Sequence, residues 1–186
     1  MSLFPLGLIS QGGGASASNA LELISTQVLV STATSITFSS IPSTYKHLQL
    51  RMASKTGNAS STATWLLRAN NDSGNNYSYH SLYGTGSSVV STGAGTYSTL
   101  GLLYMNANDP GASVFSTNIV DILDYANTNK NKTSRIFGGR AQSVSPQVTL
   151  ASGAWYNTAA INRLDLVSLD GTPLSIGSRF SLYGVS

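Results

Sequence analysis

The stretch YKHLQLRMAS (45–54) alternates without a break: Lys46, Leu48, Leu50 and Met52 fall on one parity, and Tyr45, His47, Gln49 and Arg51 on the other. Successive side chains leave a pleated strand on opposite sides, so a period of two marks a β-strand with one buried face. The spacing predicts a strand here, with Leu48, Leu50 and Met52 turned into a core.

The pattern repeats on both sides of this segment. LELISTQVLVS (21–31) and SITFSSI (35–41) precede it, rich in β-branched residues. ATWLLRAN (63–70), YSYHSLYG (77–84), SSVVS (87–91) and YSTLGLLYM (97–105) follow. Then come SVFSTNIVDILDYA (113–126), SRIFGGRAQ (134–142), QVTLAS (147–152), AINRLDLVSL (160–169) and SRFSLYGVS (178–186). Turn-forming clusters separate them: NDSGNN (71–76), NANDPGA (106–112) and NTNKNKT (127–133). No stretch of useful length keeps apolar residues at i, i+3, i+4 and i+7. Residues 119–126 come closest, but their Ile/Val content and two Asp favour a strand. Many short strands at fairly regular spacing predict an all-β fold, an antiparallel β-sandwich of jelly-roll type. The last run alternates almost to Ser186, which predicts a C-terminal strand paired inside a sheet.

The chain starts differently. Leu3, Phe4, Leu6, Leu8 and Ile9 are followed by Gly12, Gly13 and Gly14 and a run of small residues. This predicts an extended N-terminal arm and Gly-rich hinge (1–19) in front of a sandwich domain (20–186). The arm would dock on a partner; an arm folded back on its own sandwich is the alternative. With no Lys or Arg before the apolar stretch and Pro5 interrupting it, the segment makes a poor signal peptide.

Composition narrows the function. Of 186 residues only 9% are charged, against about 25% in ordinary soluble domains. Net charge is +3 with a sequence pI near 9.3, a mild excess unlike the dense basic stripe that phosphate neutralisation needs. No cysteine is present, so disulfides, thiolate catalysis and Cys-ligated zinc are excluded. No apolar run approaches the roughly 20 residues of a membrane-spanning helix, and no membrane partner is expected.

Little in the chain suggests catalysis. The two histidines, His47 and His80, sit in no metal-binding or nucleophile-elbow pattern, and serines are too many for a triad to be discerned. Asp121 and Asp124, three apart on a strand, would lie on opposite faces, one on an exposed face and one at a strand end. NNDSGNN (70–76) offers oxygen ligands around a glycine but lacks the acids of a calcium loop; a solvated turn is expected. No catalytic residue, metal site or cofactor is expected. Tyr77, Tyr79 and Tyr83 share a parity, which predicts three rings along one face: sheet packing, a protein interface or a glycan platform. Lys130, Lys132, Arg135 and Arg140 form the densest basic stretch and the candidate basic contact. Without interleaved aromatics they suit a solvated loop or a salt bridge to a neighbouring subunit better than nucleic acid.

IPSTYKHLQLRMASKT (41–56), NDSGNNYSYHSLYGTGSS (71–88), VDILDYANTNKNKT (120–133) and GSRFSLYGVS (177–186) resemble, in this order, segments of a diffuse family of small tailed-bacteriophage virion proteins. The resemblance covers most of residues 20–186. It implies a virion structural protein without catalytic residues, located at the particle surface. The preferred role is capsid decoration (a cement protein), with the major capsid protein and other virion proteins as partners and a homotrimer as the assembly. The alternative is a tail or fibre module that binds host-surface glycan.

Overall fold

The computed structural model describes residues 20–57, 62–106, 114–141 and 146–186; the expected arm and hinge (1–19) lie outside the described residues. The described chain is built from twelve strands and contains no helix. They are β1 (Leu21–Val28), β2 (Ser35–Phe38), β3 (His47–Ser54), β4 (Thr62–Ala69), β5 (Tyr77–Gly84) and β6 (Val89–Tyr97). The second half holds β7 (Leu102–Asn106), β8 (Ser116–Leu123), β9 (Lys132–Arg140), β10 (Gln147–Trp155), β11 (Leu164–Ser168) and β12 (Arg179–Val185).

Four antiparallel pairings define the fold: β1 with β12, β2 with β11, β3 with β8 and β4 with β7. They describe one long ribbon rolled on itself, so that β1-β12-β3-β8 lie in one sheet and β2-β11-β4-β7 in the other. This is the jelly roll expected from the sequence. Two hairpins interrupt the ribbon, β5–β6 between β4 and β7, and β9–β10 between β8 and β11. Both add to the first sheet, which becomes eight strands in the order β1-β12-β3-β8-β9-β10-β5-β6.

The core lies between the sheets. Leu48, Leu50 and Met52 point into it as their alternation predicts, opposite Phe180 and Leu182 on one neighbour and Val120 and Ile122 on the other. Trp65, Leu67, Leu103, Met105, Leu164 and Leu166 close it from the second sheet. Each fully buried side chain of this kind contributes about 1.5–3 kcal/mol. The alternation of 45–54 runs further than the strand, which begins at His47. Tyr45, given to the polar face by parity, instead lays its ring over Gly184, where a methyl group would overlap it. Lys46 is exposed. The C-terminal strand β12 sits between β1 and β3, paired on both edges.

One predicted strand is really two. YSTLGLLYM (97–105) breaks at 98–101, where the chain leaves the large sheet and enters the small one as β7. The buried Thr99 holds the crossing: its Oγ1 accepts the Leu67 N–H at 2.8 Å and donates to the Gly101 carbonyl at 2.8 Å. The Leu100 carbonyl accepts the Ser134 hydroxyl at 2.6 Å and rests on Gly153, where any Cβ would collide with it.

Candidate docking face

The hairpin strands β5, β9 and β10 set the orientation of the three tyrosines and of Lys132, Arg135 and Arg140. In β5 the odd residues Tyr77, Ser81 and Tyr83 face inward, and Ser78, His80 and Leu82 face outward. The three tyrosines do share a face, but it is the inner one. Tyr77 is fully buried, stacked on Trp155 with ring centroids 6.1 Å apart. Its hydroxyl accepts the Ala69 N–H at 3.1 Å and donates to the Asp72 carbonyl at 3.0 Å. Burial pushes its pKa well above the ordinary tyrosine value. Tyr79 packs edge-on against Tyr97, and Tyr83 against Tyr104, whose pKa burial pushes up to about 12. An exposed platform including Tyr77 is therefore ruled out, because a stacked, hydrogen-bonded ring at zero exposure has no surface to offer.

The same inversion runs through β9 and β10. In β10 the buried parity carries Gln147, Thr149, Ala151, Gly153 and Trp155, and the exposed one Val148, Leu150, Ser152 and Ala154. Alternation of Gln-Val-Thr-Leu would by itself turn Val148 and Leu150 inward. Trp155 and Gly153 decide otherwise: the indole must stack on Tyr77 and the glycine must receive the Leu100 carbonyl, and both share the parity of Gln147 and Thr149. The polar inner residues find partners there. Arg140 Nη2 donates to Gln147 Oε1 at 2.8 Å, and Gln147 Nε2 to Thr149 Oγ1 at 2.9 Å.

Outward, the consequence is an apolar ladder across four strands. Ile119 on β8 pairs with Phe137 on β9, Phe137 with Leu150 on β10, and Leu150 with Leu82 on β5. These side chains are 38%, 54%, 52% and 46% exposed. Val148 and Val89 flank them in the next row, also exposed. Isolated apolar side chains on a surface are ordinary, but a contiguous row of large ones marks an interaction surface. On the other side lies a polar row, Asp121–Arg135–Ser152–His80, in which Arg135 Nη2 is 2.9 Å from Asp121 Oδ2. Beyond it opens a trough of about 810 Å³, with Ser78, Thr133, Ser152 and Ala154 in its lining and Tyr156 and His80 rising beside them.

The predicted basic stretch does not form one surface. Lys130 is 2.5 Å from the Asp124 carboxylate. Lys132 is fully buried and donates to the carbonyls of Asn127, Lys130 and Thr158 at 2.6, 2.8 and 2.9 Å, tying two loops together. Burial lowers its pKa below the ordinary lysine value. Arg135 faces outward in its ion pair, and Arg140 is buried on the inner face. Alternation within β9 separates the last two from each other, since 135 and 140 differ by an odd number.

Asp72, Asp121, Asp124 and the two histidines make contacts within the described structure. Asp121 lies on the outer face of β8 and Asp124 just past its end, the exposed-face and strand-end positions expected; standing outside the strand, Asp124 is not placed by alternation. Hydrogen bonding from Lys130 holds Asp124 below the usual carboxylate range. Asp72 organises the 70–76 turn: it accepts Trp155 Nε1 and the Gly74 N–H, both at 2.8 Å. Burial alone would raise its pKa, but these bonds and that from Asn76 hold it low. The flanking Asn70 and Asn71 adopt left-handed backbone (φ 51° and 58°), which asparagine tolerates better than most residues. His47 Nδ1 accepts the Asp124 N–H at 3.0 Å, and His80 Nε2 lies 3.2 Å from Ser91 Oγ. Among the described residues no three His, Cys, Asp or Glu side chains converge as metal ligands would.

No family model, no curated protein and no solved structure matches the chain. The ladder is a surface feature that the sequence leaves hidden. Phe137 follows Ile136, so parity cannot say which is buried, and Leu82 stands alone among tyrosines. Only the pairing of β8, β9, β10 and β5 brings the four side chains into one row.

Proposed function

We propose that the protein is a non-enzymatic structural component of a tailed-phage virion, a capsid decoration protein that attaches to the shell through the outer face of its eight-stranded sheet. The observation that carries this reading is the Ile119–Phe137–Leu150–Leu82 ladder, an exposed apolar row on a rigid sheet. The resemblance of residues 41–56, 71–88, 120–133 and 177–186 to small virion proteins supports it, as does a chain with few charges and no thiols. Copies sit at the particle surface as homotrimers and contact the major capsid protein, with the 1–11 arm adding a second apolar contact.

Labelled protein should bind purified expanded capsids at saturable, shell-wide stoichiometry. Occupancy should fall little between low and moderate salt, because apolar contacts release few counterions. The double variant Phe137→Ser/Leu150→Ser should keep its melting temperature and lose occupancy. Capsids that stay bare while host cells or polysaccharide bind the protein would overturn this role. They would favour a tail or fibre module instead, for which the hydroxyl-lined trough beside the exposed Tyr156 ring supplies a neutral-sugar platform.

A further inference from the structure

Four residues along the strands from the ladder, the outer face of the large sheet changes character. From Leu82 back to Ser78 on β5, or from Phe137 back to Thr133 on β9, is roughly 14 Å. Here small side chains replace the large ones. Ala154 on β10 stands between Ser78 and Thr133, and Ser152 in the next row stands between His80 and Arg135. An exposed sheet face is more stable with β-branched side chains, so Ser78, Ala154 and Ser152 leave a hollow that the strands themselves do not require. Gly95 of β6 borders the same hollow with open space where a Cβ would stand and no left-handed backbone to call for glycine. The hollow is the trough of about 810 Å³ beside Tyr156, within the roughly 300–1,000 Å³ of small-ligand sites.

The protein itself holds the walls of the trough in place. Tyr156 follows β10 directly; its N–H donates to the Asn76 carbonyl at 2.8 Å and its hydroxyl to Ser78 Oγ at 2.9 Å. Held at both ends, it is still 55% exposed, a fixed apolar ring with a polar tip. His80, with Nε2 3.2 Å from Ser91 Oγ, adds a second anchored ring. The hydroxyls of Ser91, Thr133 and Ser152 join the lining, each able to donate and to accept. Among the described residues no Asp, Glu, Lys or Arg lines the trough, and Arg135 in the adjoining row is paired with Asp121. Such a surface suits an uncharged ligand that offers C–H faces to an aromatic ring and many hydroxyls to the floor. A neutral pyranose has both. A peptide strand fits less well, because the backbones of β9, β10 and β5 are already paired with one another.

We propose that the trough is a binding site for neutral carbohydrate, with one pyranose ring stacked on Tyr156 and its hydroxyls bonded to Ser152, Thr133 and His80. This goes beyond the proposed role and does not rest on it. The ladder lies two rows away, so a copy seated on a shell through the ladder can still hold a sugar. Binding of polysaccharide by itself then does not decide between shell and tail; occupancy of capsids does.

Calorimetric titration of the full chain with maltotriose, cellotriose, chitotriose and mannotriose, and with trigalacturonic acid as the charged counterpart, tests this. At least one neutral trisaccharide should bind at millimolar concentration or better, and the acidic one more weakly. Tyr156→Ala should keep the melting temperature and weaken binding about tenfold or more, the usual loss for a central aromatic contact. Tyr156→Phe, which keeps the ring and loses the bond to Ser78, should fall between. Ala154→Leu, which fills the floor from an outward position, should abolish binding. The ladder variant Phe137→Ser/Leu150→Ser should bind sugar like the unaltered protein, whatever it does on capsids, so the sugar site and the capsid role fail separately. No binding of any neutral trisaccharide at millimolar concentration, tighter binding of trigalacturonic acid, or unchanged binding by Tyr156→Ala would overturn the proposal.

Discussion

Two halves of one eight-stranded sheet are built on different rules. In β12, β3 and β8 the inner parity is mostly apolar (Phe180, Leu182, Leu48, Leu50, Met52, Val120, Ile122), with Ser54, Ser116 and Asn118 at one end, and the outer one is mostly polar. In β9, β10 and β5 the inner parity mixes Lys132, Ser134, Arg140, Gln147, Thr149 and Ser81 with Ile136, Ala151, Trp155 and Tyr77, and the outer one includes Phe137, Val148, Leu150 and Leu82. The first half is clasped by the four-stranded sheet, so burial of apolar surface orients its strands. The second half is an extension whose orientation rests on a few specific fits: Trp155 on Tyr77, the Leu100 carbonyl on Gly153, Lys132 on three carbonyls. Those fits leave an apolar row outside. One half of the sheet thus carries much of the core, and the other leaves an apolar row exposed.

The sharpest way to break this contrast is the same substitution in each half. Leu50→Asp should prevent folding, because a carboxylate would replace a fully buried side chain between Leu182 and Val120. That change removes on the order of 4–5 kcal/mol or more, a large part of a typical domain's stability. Leu150→Asp should leave stability within about 1 kcal/mol, since its side chain already meets solvent. Urea denaturation of both proteins checks this, and comparable losses would mean that the ladder is part of the core.

A smaller effect tests the fit that orients the extension. Gly153→Ala should cost about 1–3 kcal/mol, because the new methyl group meets backbone at Leu100, which cannot rotate away. Gly84→Ala, at an outward position with open space around it, should cost less than Gly153→Ala in the same assay. Equal effects would show that the Leu100 crossing does not fix the register of β10.

The four-stranded sheet that clasps the first half should carry acid sensitivity. Asp165, buried in β11, accepts a two-pronged bond from Arg163, Nε to Oδ2 at 2.9 Å and Nη2 to Oδ1 at 2.8 Å, and a third from Thr37 Oγ1 at 2.7 Å. Burial alone would raise its pKa, but Arg163 and Thr37 hold it below the ordinary carboxylate value. A carboxyl with a depressed folded pKa stabilises above its unfolded pKa, about 3.9, and loses that contribution as pH falls through the folded value. Stability measured from pH 6 downward should therefore fall below about pH 4, and Asp165→Asn should flatten that fall. An unchanged slope in the variant would assign acid unfolding to other groups.

The smallest effect belongs to the polar row beside the ladder. Arg135→Ala should change stability by less than about 1 kcal/mol, because its pair with Asp121 is largely solvent-exposed. A loss of several kcal/mol would make the outer face a structural element in its own right.

The positions of the strands were legible in the sequence. YSYHSLYG coincides with β5, YKHLQLRMAS contains β3, and the final run holds β12. The inward set Leu48, Leu50 and Met52 followed from alternation. The exposed apolar ladder was not legible. Alternation puts the three tyrosines on one face without saying which side of the sheet that is, and the four cations of 130–140 are contiguous only along the chain. Alternation has a period of two and no sign: it separates two faces without saying which is inside. Where one parity is wholly apolar and the other polar, the hydrophobic effect supplies the sign, and the sequence by itself determines the strand's orientation. In β5, β9 and β10 both parities are mixed. There the sign comes from partners distant in sequence, Tyr77 against Trp155 and Leu100 against Gly153, which only the tertiary structure brings together.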